Sequence, residues 1–168
     1  MTLLSHPSSA AIAPAVCDVR DLRRGEHLVL LGFRALALGH AECPTLRRTF
    51  AGLLGGDADD ALMQMLAFVR VVGSAGLRRL RLHVPGCCAL SDDERGVLAA
   101  VAAAQASLYD ADEAPLRRAL DALLGSPSPE ACVFAAQAVA AALTLSGLEL
   151  PLREPPADEI APASPTLH

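Results

Sequence analysis

Ser91-Asp92-Asp93-Glu94-Arg95-Gly96-Val97-Leu98-Ala99-Ala100-Val101 carries the clearest helix start in the chain. A serine followed three residues later by a glutamate forms a capping box, which satisfies two otherwise unpaired backbone donors reciprocally. Acidic residues in the first turn suit the positive end of the helix dipole. Val97, Leu98, Val101 and Leu108 then recur at helical spacing and are expected to line a buried face. The alanines between Ala99 and Ala104 would let a neighbouring helix come close.

Working outward, the same periodicity marks further helices. Residues 21–38 are almost wholly apolar through Leu28-Val29-Leu30-Leu31-Gly32-Phe33, the mark of a central helix, and Gly39 ends them. Pro44 suits a first helical position, with Cys43 beside it as cap neighbour, and Gly55-Gly56 closes that segment. Leu62, Met65, Leu66, Val69 and Val72 repeat at helical spacing after Asp57. After Pro115 a shorter helix carries Leu116, Leu120, Leu123 and Leu124 and is expected to lean on the main bundle. Ser128-Pro129 opens the last long helix, through Val133, Phe134, Val139 and Leu143 to Gly147.

Two pieces alternate instead: Leu80, Leu82 and Val84 with Arg79, Arg81 and His83, and Leu148, Leu150 and Leu152 with Glu149, Pro151 and Arg153. Period-two alternation is a strand signal. The expected fold is therefore all-α, a single-domain bundle of about five helices, with room for a minor two-stranded β ribbon (79–84 and 148–152). The alternative is that these pieces pair across a two-fold axis between subunits. Residues 1–17 read as a flexible arm, 18–153 as the helical domain and 154–168, with four prolines, as a disordered Pro-rich tail.

Bulk composition narrows the function classes. Hydrophobic residues make up 52% of the 168 but aromatics only 3%, so Ala, Leu and Val must build the core. There is no lysine, so all 14 basic residues are arginine, and the Ala, Gly, Pro and Arg content fits a GC-rich, bacterial-type genome. A net charge of -5 argues against nucleic-acid binding through the phosphate backbone, Arg78-Arg79-Leu80-Arg81 being the one basic run. The N-terminus lacks the basic start of a secretory leader, and no apolar stretch reaches the roughly 20 residues of a membrane span. A cytoplasmic location and no membrane association are expected.

Chemistry, if any, is expected in two local groups: His40-Ala41-Glu42-Cys43 and His83-Val84-Pro85-Gly86-Cys87-Cys88. Thiolate and imidazole suit zinc, and thiolates suit iron–sulfur clusters, but no Cys-x-x-Cys pair is present. His40, Cys43, His83 and Cys87 could share one ion only if their loops meet. Cys87 and Cys88 also precede a helix start, where thiolates are favoured, although Asp92, Asp93 and Glu94 oppose this. The simplest alternative is that these cysteines only pack. Five cysteines at uneven spacing make a disulfide framework unlikely on arithmetic alone. No nucleophile elbow and no His-Glu-x-x-His is present, and the lack of lysine excludes Schiff-base chemistry, which points away from an enzyme.

Leu30-Leu31-Gly32-Phe33-Arg34, the alternating piece and Pro85-Gly86-Cys87-Cys88-Ala89-Leu90-Ser91-Asp92-Asp93-Glu94 together resemble a family of small helical bacterial proteins of unknown function. Its members share a Cys-rich turn before a Ser/Thr-x-x-Glu helix start. The resemblance implies a common fold and no activity. The expected function is a non-catalytic protein-interaction or regulatory module, a homodimer with a further protein partner. The alternative is a metal-binding or thiol-redox sensor centred on His83, Cys87 and Cys88.

Overall fold

Local signals and observed elements coincide closely. The computed structural model describes residues 18–153, so the arm and the tail expected from the sequence lie outside the described residues. The architecture is all-α: α1 (Arg24–Ala37), α2 (Pro44–Leu54), α3 (Ala58–Ala75), α4 (Asp92–Asp110), α5 (Ala114–Leu124) and α6 (Glu130–Leu145). Single 3-10 turns occur at Val19–Asp21 and Gly55–Asp57. The segment after Pro115 is more than a side element. Leu116, Leu120, Leu123 and Leu124 of α5 are all buried, and α5 packs along α4, which brings the α-helices among the described residues to six.

α4 runs through the middle of one half of the bundle, against α5 and α6 and touching α1, while α3 lies among α1, α2 and α6. Val97, Ala100, Val101 and Ala104 of α4 are fully buried, so the alanines do permit close packing. Leu108 departs from the expected buried face. It is 43% exposed and its neighbour Tyr109 71%, because the last turn of α4 projects into solvent. On α1, Gly32 marks a tight crossing: a Cβ there would lie 2.9 Å from Phe50 Cζ and 3.3 Å from Met65 Cγ. Phe33 and Phe68 meet edge to face nearby, with ring centroids 5.8 Å apart. No helix among the described residues is long and apolar enough to cross a membrane.

The β ribbon does not form. Among the described residues there is no strand; Asp18 and Ala89 form an isolated antiparallel bridge. The two alternating pieces are extended, but helix side chains occupy the backbone groups that a ladder would use. The Arg81 amide donates to Asp93 Oδ2 (2.6 Å) and the His83 amide to Glu94 Oε1 (2.7 Å). In the second piece, Gln105 donates to the Leu148 carbonyl (2.8 Å) and accepts from the Leu150 amide (2.8 Å). A primary amide offers the same donor and acceptor as a peptide group, so Gln105 takes the place of a partner strand.

Candidate functional site

The segment between α3 and α4 carries His83, Cys87 and Cys88, and its course is set by α4. Ser91 Oγ accepts the Glu94 amide (3.1 Å), and Glu94 Oε2 accepts the Ser91 amide (2.9 Å), completing the expected capping box. Ser91 also donates its hydroxyl to the Arg81 carbonyl, and Arg78 pairs with Asp93 at 2.5 Å. Pro85-Gly86 makes the expected turn: the Cys87 amide donates to the Val84 carbonyl (3.1 Å), and Gly86 has φ +91°. Proline followed by a residue of positive φ is the pattern of a type II turn, which is why glycine stands there.

Beneath this turn lies a residue that sequence reasoning missed. Arg34, in the stretch of α1 that is otherwise apolar from Leu28 onward, is 2% exposed, and its guanidinium forks onto the fully buried Glu94 through Nε–Oε1 (2.7 Å) and Nη2–Oε2 (2.8 Å). It also donates to the carbonyls of Cys87 (2.8 Å) and Ala89 (2.7 Å). The carbonyl between them, of Cys88, accepts the Val19 amide at 2.8 Å. Three consecutive carbonyls are thus held while the two thiols stay free. The available signal was a lone charge inside the apolar run from Leu28 to Ala37, which must find a buried partner.

Burial works to raise the Glu94 carboxyl. Hydrogen bonds from Arg34, the Ser91 amide and the His83 ring and amide outweigh that, and its pKa falls to about 2. Asp93 is likewise held below the ordinary carboxylate range: burial opposes the shift, and Arg78 with the Arg81 amide prevails. His83 places Nδ1 3.0 Å from Glu94 Oε2, so one ring nitrogen is already engaged within the protein.

Of the other group, His40 is exposed in the α1–α2 connection, and Cys43 is half-buried at the N-cap of α2. Cys43 makes no regular capping hydrogen bond, yet the amides of Leu46 and then Thr45 at this open helix end lower its thiol pKa. Cys43, expected beside the cap and among the candidate metal ligands, is the N-cap residue itself. Among the described residues, no three His, Cys, Asp or Glu side chains lie together as a metal-holding group. Cys132 is fully buried in α6, and burial pushes its thiol up, as suits a packing residue.

The turn has two unlike sides. Toward Arg78, Arg81 and Asp92 the surface is polar. Toward α1 and α2 it borders a mainly apolar cleft of about 430 Å³, walled by Leu28, Leu31, Leu53 and Pro85, with Cys87 and Cys88 at its edge. Cys87 is half-buried and Cys88 exposed. No family model, no curated protein and no solved structure matches the chain.

Proposed function

We propose that this chain is a non-catalytic interaction or regulatory module that acts as a homodimer in the cytoplasm. The observation that carries this reading is the outer face of α6. Phe134 (65% exposed) and Leu145 (85% exposed) stand on it, with Ala131, Ala138, Ala141 and Ala142 between and around them at heptad-like spacing. No charged side chain interrupts this stripe. A helix apolar on both its inner and outer sides is one that ordinarily has neighbours on both. Large residues alternating with alanine can seat against a second copy of the same surface, as an isologous two-fold contact requires.

Light scattering on the full chain tests this. The wild type should show the mass of two subunits at micromolar concentration, and Phe134→Glu/Leu145→Glu the mass of one with an unchanged circular dichroism spectrum. A wild-type mass of one subunit would sink the proposal. The second reading is a thiol sensor at Cys87 and Cys88, and the free, partly accessible state of both thiols beside an apolar cleft supports it.

A further inference from the structure

The extended segment between α3 and α4 has one side that α4 uses and another that it leaves open. In an extended chain the N–H and C=O of one residue point to the same side, and those of the next residue to the other. The Arg81 amide and carbonyl are taken by Asp93 Oδ2 and the Ser91 hydroxyl, and the His83 amide by Glu94 Oε1. The N–H and C=O groups of Leu80 and Leu82 therefore point away from α4. Among the described residues they have no hydrogen-bond partner. Both leucines are only half-buried, with their side chains packed against the core, while Arg79, Arg81 and Val84 are exposed. A row of unpaired backbone groups of this kind is a template for a further strand.

The side chains decide which strand fits. Asp93 is matched by Arg78 and Asp92 by Arg95, whereas Arg79 and Arg81 have no carboxylate within ion-pair distance among the described residues. A second copy of the segment is a poor occupant. Antiparallel pairing about Arg81 sets Arg81 opposite Arg81 and Arg79 opposite His83, and like charges directly opposite are destabilising. An acidic strand meets the reverse situation. We propose that residues 79–84 receive, by strand addition, an extended segment of a partner protein in which acidic and apolar residues alternate. Main-chain bonds to Leu80 and Leu82 supply affinity, and the alternate side chains supply specificity. The partner's acidic residues lie beside Arg79 and Arg81, and its apolar residues lie on the other face, beside Leu80, Leu82 and Val84. This inference rests on the interaction-module reading and names a partner class for it, but it uses no residue of α6. Failure here leaves the light-scattering result on α6 standing, and loss of the dimer leaves this edge in place.

The test is an NMR titration of the full-length, nitrogen-15-labelled protein with the capped hexapeptide (Glu-Val)3, up to about 1 mM. The Leu80 and Leu82 amide protons should move downfield most, because they gain acceptors, while the Arg81 and His83 amides, already bonded to α4, move less. The peptide (Lys-Val)3 should bind about tenfold more weakly, and Arg79→Glu/Arg81→Glu should reverse that preference. N-methylation of one alternate set of peptide amides should weaken binding about tenfold and of the other set far less, since only one set faces the edge. Unmoved Leu80 and Leu82 signals would overturn the proposal, as would equal binding of the two peptides. Equal effects of the two N-methylated sets would show charge attraction without a ladder and overturn it too. Shifts at Leu80 and Leu82 that grow with protein concentration alone would assign the edge to a second copy, again against the proposal.

Discussion

At the start of α1, Glu26 accepts the Arg23 amide (2.8 Å) and a two-pronged contact from Arg153 through Nε (2.6 Å) and Nη2 (2.8 Å). At the start of α4, Glu94 accepts the Ser91 amide and the same two-pronged contact from Arg34. Both glutamates stand at the third helical position and both are buried. Each anchors an extended segment against a helix end. The difference lies in where each arginine comes from and how deeply it is buried. Arg153 belongs to the segment it fastens and is 18% exposed, so it acts as a clasp. Arg34 comes from the interior of another helix, is almost wholly buried and also holds the carbonyls of Cys87 and Ala89. One buried charge pair therefore ties α1, α4 and the cysteine turn together, whereas the other ties the extended segment after α6 to the start of α1.

Removing each cation breaks the comparison most directly. Arg34→Met should cost about 3–5 kcal/mol, because it strands a buried carboxylate and frees two carbonyls. Arg153→Met should cost less, about 1.5–3 kcal/mol, since water can reach its site. Urea denaturation of both variants measures this, and equal losses would erase the distinction between keystone and clasp.

Acid should act next most strongly, and on the cysteine side first. The Glu94 pKa falls from 4.5 to about 2 on folding, so its stabilisation is complete above pH 4.5 and is lost as pH falls toward 2. The effect is about 3 kcal/mol at full extent. Hydrogen exchange from pH 5 downward should show protection at the Arg81 and His83 amides, which donate to Asp93 and Glu94, declining before protection at Leu150, which donates to neutral Gln105. Simultaneous loss at all three amides would contradict it.

The smallest expected effect sharpens the other side. Gln105→Leu removes the amide that stands in for a strand and leaves the Leu148 carbonyl and Leu150 amide without it. It should cost about 1–3 kcal/mol and leave the reactivity of Cys87 and Cys88 unchanged. Altered thiol reactivity in this variant would show that the two anchored segments are coupled.

Much of this fold was legible in the sequence, and the legible part was local. The Ser91–Glu94 capping box, Pro44 at a first helical turn, the Pro85-Gly86 turn and the leucine spacing of α5 each involve residues within about one helical turn of one another, where backbone geometry alone relates them. The Glu26 anchor was hidden because an arginine before it gives no capping signal. The alternating pieces misled for a different reason: period two reports an extended chain with unlike sides, and says nothing about who pairs with it.

By itself, then, the sequence determined an all-α chain, the positions of its helix starts, most of its buried faces and the turn that carries Cys87 and Cys88. Tertiary structure alone decided the rest. It brought Arg34 onto Glu94 across 60 residues and Arg153 onto Glu26 across 127, and it set Gln105 against the extended segment after α6. It also put the cysteine turn against an apolar cleft, and among the described residues it gathers no three His, Cys, Asp or Glu side chains into a metal-holding group. The physical reason is that a helix start is fixed by hydrogen bonds between near neighbours, while a buried charge finds its partner only after the helices have packed.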